Sequence, residues 1–235
     1  MPRLSDVESY RPHPIVASVG GSIVRPNELN RGFICEFLEF TKDIVDREGT
    51  VVAVIGGGGM ARQLIGDARA MGVSHPLTLD QIGINVTREN AFVVAKIFEA
   101  NGLHVHVRKP GDIFKNGFVY IQGGGEPGHT TDYVAVQAAR EAHQQVLLNI
   151  SSTQGLYRVT EGKMDKNDVI DSISWDDYLA LFPKGHEPGI NIPFDHEAAL
   201  FAQKNAITVI LIGPDIENIS NLLAGKEFTG TIIHP

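Results

Sequence analysis

The chain is poor in cysteine, in positive charge and in long hydrophobic runs, and each shortage excludes a class of protein. Its 235 residues include one cysteine, Cys35, so neither an internal disulfide nor a cysteine-rich metal site can form. Lys and Arg number 20 against 28 Asp and Glu, a formal net charge of −8. That balance argues against general nucleic-acid binding, which requires a basic face. The charge balance does not exclude a small anionic ligand that is held by backbone amides.

Membrane insertion is also disfavoured. No apolar run approaches the ~20 residues that a membrane-spanning helix needs. The first residues lack the basic-then-apolar pattern of a signal peptide. Hydrophobic residues make up 43% of the chain and charged residues 20%, which is ordinary for a globular protein with a sizeable core. We therefore expect a soluble cytoplasmic protein that binds neither membranes nor nucleic acid.

Short β-rich segments alternate with longer amphipathic segments along the chain. The predicted strands are residues 14–19, 51–55, 105–107, 118–121, 146–150, 208–212 and 229–233. The predicted helices are residues 28–48, a segment from about 60, 87–100, 131–143, 175–181, 197–205 and 216–223. Residues 161–171 and 183–193 are predicted to be loops. The alternation favours an α/β fold, with a mostly parallel sheet covered by helices on both faces.

Three predicted strands run into glycines, at residues 20–21, 56–59 and 123–125. Glycine lets backbone N–H groups approach a ligand closely, and the start of a following helix adds partial positive charge that suits phosphate. In open α/β sheets, ligands bind at this edge. Tight turns alone can also require glycine. Neither a P-loop nor a dinucleotide fingerprint fits, because no glycine precedes a Lys-Ser or Lys-Thr pair and Asp80 does not follow a convincing strand.

Four motifs occur in an order that resembles the amino-acid-kinase superfamily and, within it, the archaeal-type uridylate (UMP) kinases. They are VASVGGS (16–22), VIGGGGMAR (54–62), DQIGINVTRENA (80–91) and GGGEPGHTTD (123–132). The ending GTIIHP (230–235) is similar to the usual end of that group. The resemblance implies a three-layer α/β/α sandwich with a mostly parallel central sheet, in a single domain over residues 1–235. An acceptor (UMP) half at about 1–145 and a donor (ATP) half at about 146–235 are expected.

The same resemblance implies in-line transfer of the γ-phosphoryl group of ATP to UMP, giving UDP, without a general base. Mg²⁺ would be held largely by ATP phosphates and water, so no protein metal site is predicted. The expected catalytic residues are Arg62, Asp132 and Ser22. The expected UMP-binding residues are Gly57, Asp80, Gly125, Glu126, Pro127, Gly128, His129, Thr130 and Thr131. The expected ATP-binding residues are Gly20, Gly21, Ser22, Gly58, Arg62, Ser151, Tyr157 and Thr160.

Several of these residues have simpler interpretations. Arg62 can be a solvated surface residue, and Asp80 can be the N-cap of a helix over residues 81–100. Thr130 and the two residues after it can likewise be helix caps that satisfy free N–H groups. Arg88, in the middle of a predicted helix, can serve a subunit contact or a surface pair.

The predicted donor half departs from the family pattern. Residues 151–157 read SSTQGLY where the family has Thr-Asn-Val-Asp-Gly-Val-Tyr, so Gln154 replaces an aspartate. Thr160 and Glu161 replace Asp-Pro, and Leu200 replaces a lysine.

Two further lysines of the superfamily pattern are absent. Ser18 stands where many members have lysine, and Gly59 replaces the lysine of Gly-Gly-Gly-Lys. Arg62, helix N-termini and Mg²⁺ would then have to offset the negative charge of the transition state. A mobile lysine could add to them: the candidates are Lys163, Lys184 and Lys204.

These departures leave three functions open. The first is a UMP kinase of pyrimidine nucleotide biosynthesis that uses ATP and Mg²⁺. The second is a catalytically weak relative that binds a nucleotide or phosphate as a sensor or storage module. The third is a kinase for another small acceptor, such as a carboxylate or isoprenyl phosphate, against which the GGGEPGHTTD segment argues. The family resemblance also implies a homo-oligomer, a hexamer built as a trimer of dimers, to which residues 28–48 could contribute a contact.

Overall fold

A mixed eight-stranded sheet forms the centre of the computed structural model, which describes residues 14–160, 163–182 and 193–235. The strands are β1 (Ile15–Val19), β2 (Val51–Ile55), β3 (Val105–Val107), β4 (Val119–Gln122), β5 (Val146–Ile150), β6 (Tyr157–Thr160), β7 (Lys163–Val169), β8 (Ser172–Ser174), β9 (Thr208–Ile212) and β10 (Gly230–His234). The helices are α1 (Gly21–Val24), α2 (Arg31–Val45), α3 (Gly58–Ala70), α4 (Pro76–Ala100), α5 (Thr131–Glu141), α6 (Trp175–Leu181), α7 (His196–Lys204) and α8 (Ile216–Leu223).

The strand order in the large sheet is β3-β4-β2-β1-β5-β9-β10-β8. Neighbouring strands from β3 to β9 are all parallel, whereas β10 runs antiparallel to β9 and parallel to β8. In chain order, β2, β3 and β4 all lie on one side of β1. The chain then crosses to the other side of β1 at β5. The carboxyl ends of β1 and β5 therefore border the crevice where ligands bind in sheets of this kind.

Two hydrophobic clusters cover the two faces of the sheet. On β1, Ile15, Ala17 and Val19 belong to the cluster that also contains Phe37 of α2 and Phe98 of α4. Alternate positions such as Val16 of β1 and Val52 of β2 belong to the other cluster, with the alanines of α5 and α7. The small side chains on that face let the helix backbones lie close to the sheet. The result is the predicted three-layer α/β/α sandwich with a mostly parallel central sheet.

The strands that were easiest to predict are the fully buried ones. All five residues of β1, β2, β5 and β9 are buried, which explains why their sequences are mostly apolar. The predicted helix at 87–100 is wrong at its start, because α4 begins at Pro76, a residue that is compatible with the first turn of a helix.

The predicted loop at 161–171 is also wrong. β7 covers Lys163–Val169 and pairs antiparallel with β6 in a separate two-stranded sheet. Its sequence, KMDKNDV, lacks the apolar pattern of the central strands because this hairpin is not part of the central sheet. β8, at Ser172–Ser174, was not predicted because its sequence, SIS, has one apolar residue between two serines. Most of the predicted loop at 183–193, residues 183–192, lies outside the described residues.

Within the part of the chain that the structure describes, no helix combines the length and apolar character needed to cross a membrane.

Packing of α4 on the sheet gives a direct stability test. Phe98 is fully buried among the side chains of one core cluster, whereas Phe92, on the same helix, is 56% exposed. Phe98→Ala is expected to lower the free energy of unfolding by roughly 3–5 kcal/mol, because it leaves a cavity that the core cannot refill. Phe92→Ala should change it by less than about 1 kcal/mol. Urea unfolding followed by circular dichroism measures both, and equal losses in the two variants would contradict this packing.

Candidate active site

The loops after β1 and β2 lie in backbone contact with each other. A methyl group added at Gly21 would stand 2.1 Å from the backbone nitrogen of Gly58, and one added at Gly56 would stand 2.6 Å from the nitrogen of Gly21. Gly58 also has a φ of +67°, a conformation that favours glycine. Close approach of the two loops is therefore sufficient to explain these glycines, whatever ligand they contact.

Helix α4 holds the loops that follow β2 and β4. The side-chain amide of Asn90 is fully buried and donates to the carbonyl oxygen of Gly56 at 2.9 Å. The hydroxyl oxygen of Thr87 accepts a hydrogen bond from the backbone N–H of Gly124 at 2.6 Å. One helix thus sets the position of two glycine loops that are far apart in sequence.

Asp80 makes a further contact from α4 to the segment after β4. Its carboxylate accepts a hydrogen bond from the backbone N–H of Gly128 at 3.0 Å. The interpretation of Asp80 as the N-cap of a helix is wrong, because α4 begins at Pro76 and Asp80 lies inside it.

Arg88 was assigned from sequence to a subunit contact or a surface pair, and the structure gives it a different partner. Its Nε donates to the carbonyl oxygen of Gly124 at 3.1 Å, and its second terminal nitrogen donates to that of Gly125 at 2.6 Å. No local sequence pattern predicts these contacts, since the partners are 36 and 37 residues away.

Eight of the predicted site residues line one open cavity of about 390 Å³, which we call the acceptor cavity. They come from the ends of β2 and β4, from α3 and from α4. They are Gly57, Gly58, Arg62, Asp80, Gly128, His129, Thr130 and Thr131. Ala61, Ile65, Gly83, Ile84, Thr87 and Gly124 complete the lining. Arg62, in the first turns of α3, is the single arginine or lysine among the described residues that line it.

The other predicted residues do not line this cavity. Gly125, Glu126 and Pro127 belong to the loop between Gly124 and Gly128. Gly20, Gly21 and Ser22 follow β1, and Ser151 and Tyr157 flank the turn between β5 and β6. Thr160 ends β6, and its side chain lies outside the described residues.

Two of the acceptor-cavity residues also have structural roles. The hydroxyl oxygen of Thr130 accepts a hydrogen bond from the backbone N–H of Tyr133 at 3.2 Å, so Thr130 is the N-cap of α5. The simpler interpretation of this threonine is thus confirmed. The ring of His129 stacks on Tyr133 with centroids 4.1 Å apart, and Tyr133 stacks on Phe201. These contacts hold His129 against the protein as part of the cavity wall.

Asp132 lies in the first turn of α5 and points into the crevice between β1 and β5. One carboxylate oxygen accepts hydrogen bonds from the Ser18 hydroxyl and the Asn149 side-chain amide, each at 2.9 Å. The other accepts from the backbone N–H of Asp195 at 3.3 Å. Burial raises the pKa of Asp132 to about 6, a rise that these hydrogen bonds only partly offset. Ser18 and Asn149 were not predicted as partners, because serine and asparagine in buried strands carry no motif.

Positive charge is scarce around Asp132. Ser18, which stands where a lysine is usual, contacts the carboxylate with a neutral hydroxyl. Lys204 lies in the last turn of α7, whose first turn is next to Asp132, so the length of that helix separates the two. The side chain of Lys163 and the whole of Lys184 lie outside the described residues.

The described residues contain no group of three or more His, Cys, Asp or Glu side chains that could hold a metal ion. The oxygens of Asp132 already receive three hydrogen bonds. This part of the chain therefore supplies no all-protein cage for Mg²⁺, and an ion here would have to bring most of its ligands with it. Mg²⁺ commonly does so, since it keeps several waters and binds substrate phosphates.

A second cavity of about 460 Å³ lies beside the acceptor cavity. Gly124 lines both cavities, so its loop forms a shared wall. Arg88, Arg108 and Phe92 are among the side chains that line the second cavity alone. Arg108 is buried and forms an ion pair with Glu141.

The contact between the two glycine loops predicts unequal responses to the same substitution. Gly21→Ala places a methyl group against the backbone of Gly56 and Gly58, so we expect a loss of about 1–3 kcal/mol of unfolding free energy and displaced loops. Gly66→Ala is the matched control, because Gly66 is an exposed position of α3 with no atom near the added methyl group. It should stabilise the protein by about 0.4–1 kcal/mol. Thermal unfolding of both variants checks this, and a neutral Gly21→Ala would contradict the contact.

The raised pKa of Asp132 predicts a pH-dependent stability. The folded-state pKa of about 6 lies above the ordinary value of 3.8, so the folded state binds more protons than the unfolded state between these values. The free energy of unfolding should therefore fall as the pH rises from about 4 to about 7, by up to ~3 kcal/mol from this residue. Asp132→Asn should lack this contribution, whereas Asp67→Asn, on the surface of α3, is the control. Urea unfolding at several pH values measures it, and a profile unchanged by Asp132→Asn would disprove the assignment.

The comparisons with known proteins identify the family and agree with the fold. The model of the amino acid kinase family matches residues 13–213. The uridylate kinase of Haloquadratum walsbyi is 31% identical over 229 residues, covering 94% of this chain and 93% of the relative. That of Thermoplasma acidophilum is 29% identical, covering 93% and 96%.

Among solved structures, the uridylate kinase from Archaeoglobus fulgidus matches with a TM-score of 0.74 at 28% identity. The match covers 94% of this chain and 99% of that chain. The family predicted from the four motifs and its fold are thereby confirmed: this chain belongs to the amino acid kinase family.

Proposed function

We propose that this protein is a UMP kinase, which transfers the γ-phosphoryl group of ATP to UMP to give UDP. The observation that carries the proposal is the acceptor cavity, where residues from the GGGGMAR, DQIGINVT and GGGEPGHTTD motifs meet. Relatives that align with nearly the whole chain are named uridylate kinases, which supports the same assignment.

The acceptor cavity has the size and polarity for a nucleoside monophosphate. Its volume of about 390 Å³ falls within the usual range for small-molecule sites. Arg62 would bind the phosphate, because a guanidinium group can form paired hydrogen bonds with phosphate oxygens. The start of α5 at Thr131 adds partial positive charge. The Asp80 carboxylate accepts from Gly128, and its remaining lone pairs would accept a ribose hydroxyl.

The donor nucleotide would lie at the crevice between β1 and β5. Gly20, Gly21 and Ser22 follow β1 there, and Ser151 follows β5, so backbone amides and hydroxyls of both loops would surround the ATP phosphates. The predicted roles of Gly58 and Tyr157 toward ATP belong to this proposal. Mg²⁺ bound to those phosphates would supply charge neutralisation. Residues 1–145 and 146–235 are the proposed acceptor and donor halves.

The chain's own contribution to transfer is positioning and charge. Phosphoryl transfer requires the attacking oxygen and the leaving oxygen to be in line with the phosphorus. It also requires the negative charge of the transition state to be stabilised. The Asp132 carboxylate would hold the two sides of the crevice together, because it accepts hydrogen bonds from Ser18, Asn149 and the backbone N–H of Asp195. Arg62 would offset charge on the group in transfer. No side chain is assigned as a general base. Location in the cytoplasm and a hexamer built as a trimer of dimers are further parts of the proposal.

The experiment that tests the proposal is a coupled assay of UDP formation from UMP and MgATP, with calorimetric titration of each nucleotide. Turnover is expected, with both nucleotides binding. UMP binding without turnover and without ATP binding would contradict the kinase assignment and favour a nucleotide-binding relative with a degenerate donor site. Failure of both nucleotides to bind would leave only the fold in common with the family.

Arg62 should contribute far more to the rate of phosphoryl transfer than another arginine of α3. Arg62→Ala removes the single lysine or arginine of the acceptor cavity, and we expect kcat to fall by roughly 100-fold or more. Arg69→Ala is the matched control, since Arg69 lies in the last turn of the same helix and does not line the cavity. It should retain activity. Steady-state kinetics of both variants decide the point, and comparable rates for the two would refute the role of Arg62.

A further inference from the structure

We infer that Arg88 is a positioning residue for UMP binding: it fixes the acceptor loop, defined as residues 123–128, whose Gly124 and Gly128 line the acceptor cavity. The inference rests on the proposed function only in naming UMP as the ligand. The orientation itself rests on hydrogen bonds in the structure.

Both hydrogen bonds of the Arg88 guanidinium group go to backbone carbonyl oxygens. Nε and one terminal nitrogen donate to two successive carbonyl oxygens, those of Gly124 and Gly125. No carboxylate pairs with Arg88 among residues 14–160, 163–182 and 193–235. A planar fork of donors suits two neighbouring acceptors, which a lysine ammonium cannot match in geometry.

Fixing these carbonyl groups also fixes the N–H groups of the same peptide units. In a trans peptide the C=O and N–H bonds point in opposite directions. The peptide units that begin with Gly124 and Gly125 carry the N–H groups of Gly125 and Glu126. Both carbonyls point to Arg88, so both N–H groups point away from it. Within the described part of the chain, neither N–H donates to a protein acceptor.

The two cavities show where the acceptor loop lies relative to Arg88. Arg88 lines the second cavity and is not part of the acceptor cavity, whereas Gly124 lines both. The acceptor loop therefore separates the two cavities, with Arg88 on one side. Gly125 lines the second cavity together with Arg88, and the loop lines the acceptor cavity through Gly124 and Gly128. By holding the carbonyls of Gly124 and Gly125, Arg88 therefore fixes the part of the loop that forms the acceptor-cavity wall.

The acceptor loop needs such support because of its sequence. It starts with three glycines, which lose more conformational entropy on ordering than other residues. Gly123 cannot be replaced by a residue with more limited freedom, since a methyl group there would stand 2.6 Å from the backbone nitrogen of Arg88. The loop lies directly on α4, and the ties from Thr87, Asp80 and Arg88 hold it there.

Arg88→Met and Arg88→Lys test the inference in the full-length protein. Methionine keeps an unbranched apolar chain and removes every donor, whereas lysine keeps the charge and one donor group. Lys96→Met is the matched control, because Lys96 is two turns further along α4 and pairs with Glu99. The readouts are the KM for UMP, the KM for ATP, kcat, and hydrogen–deuterium exchange of peptides that cover residues 123–128.

For Arg88→Met we expect the KM for UMP to rise about tenfold or more, with kcat and the KM for ATP nearly unchanged. This split follows if the acceptor loop binds the ground state and the transition state equally. Exchange at residues 123–128 should become faster while the rest of the sheet is unaffected. Arg88→Lys should recover part of the UMP affinity, and Lys96→Met should match the wild type. An unchanged KM for UMP together with unchanged exchange in Arg88→Met would overturn the inference.

The exchange measurement keeps this inference separate from the proposed function. If the wild-type protein forms no UDP, the kinase proposal fails, and the exchange rates still decide what Arg88 does. Faster exchange confined to residues 123–128 in Arg88→Met would support its positioning role. Equal exchange in Arg88→Met and Lys96→Met would contradict that role.

Discussion

The contacts that helix α4 makes with two glycine loops are the constraint on which the candidate site depends. Asn90 binds the loop after β2, and Asp80, Thr87 and Arg88 bind the loop after β4. Glycine-rich segments have little order of their own, so a cavity built from them requires a rigid element that fixes both sides. A 25-residue helix packed on the sheet through Phe98 provides that rigidity. The shape of the acceptor cavity therefore follows from α4 more than from the loops themselves.

The second feature of the site is that few positively charged side chains line it. Among the described residues, Arg62 is the single lysine or arginine that lines the acceptor cavity, and the groups that donate to Asp132 are neutral side chains or backbone. With a pKa of about 6, Asp132 is mostly ionised at neutral pH despite its burial. Under the proposed function, an ionised carboxylate with no cation beside it in the described part of the chain would favour a metal-bound nucleotide over a metal-free one. That arrangement agrees with the absence of the usual lysine at Ser18 and with the low number of basic residues in the chain.

Parts of this structure could be predicted from sequence because they obey local rules. β1, β2, β5 and β9 are apolar runs buried on both faces, and such runs have few other interpretations. The start of α4 was missed because Gly83 and Pro76 weaken the helical pattern. Gly83 fits α4 since an added methyl group there would meet Ile65 of α3 at 3.2 Å. The hairpin of β6 and β7 was missed because it lies outside the central sheet, and β7 lacks the apolar pattern of the central strands.

The lining of the acceptor cavity could be predicted from sequence in part, and its connections could not. Eight of the residues selected by motif resemblance line this one cavity, although they come from three separate segments of the chain. Their ligand roles stay predictions. The contacts that hold the cavity could not be read from sequence, because each joins groups 34 to 48 residues apart through the fold. Arg88 illustrates this limit, since an exposed arginine in a helix has no local feature that identifies a backbone partner.

A crystal structure of the protein with UMP would test the central claim most directly. The account predicts UMP in the acceptor cavity, with its phosphate at Arg62 and the start of α5. It also predicts that UMP contacts the acceptor loop at Gly124 and Gly128 while Arg88 holds the carbonyls of Gly124 and Gly125. UMP bound elsewhere, or bound in this cavity with Arg88 released from the loop, would contradict the account.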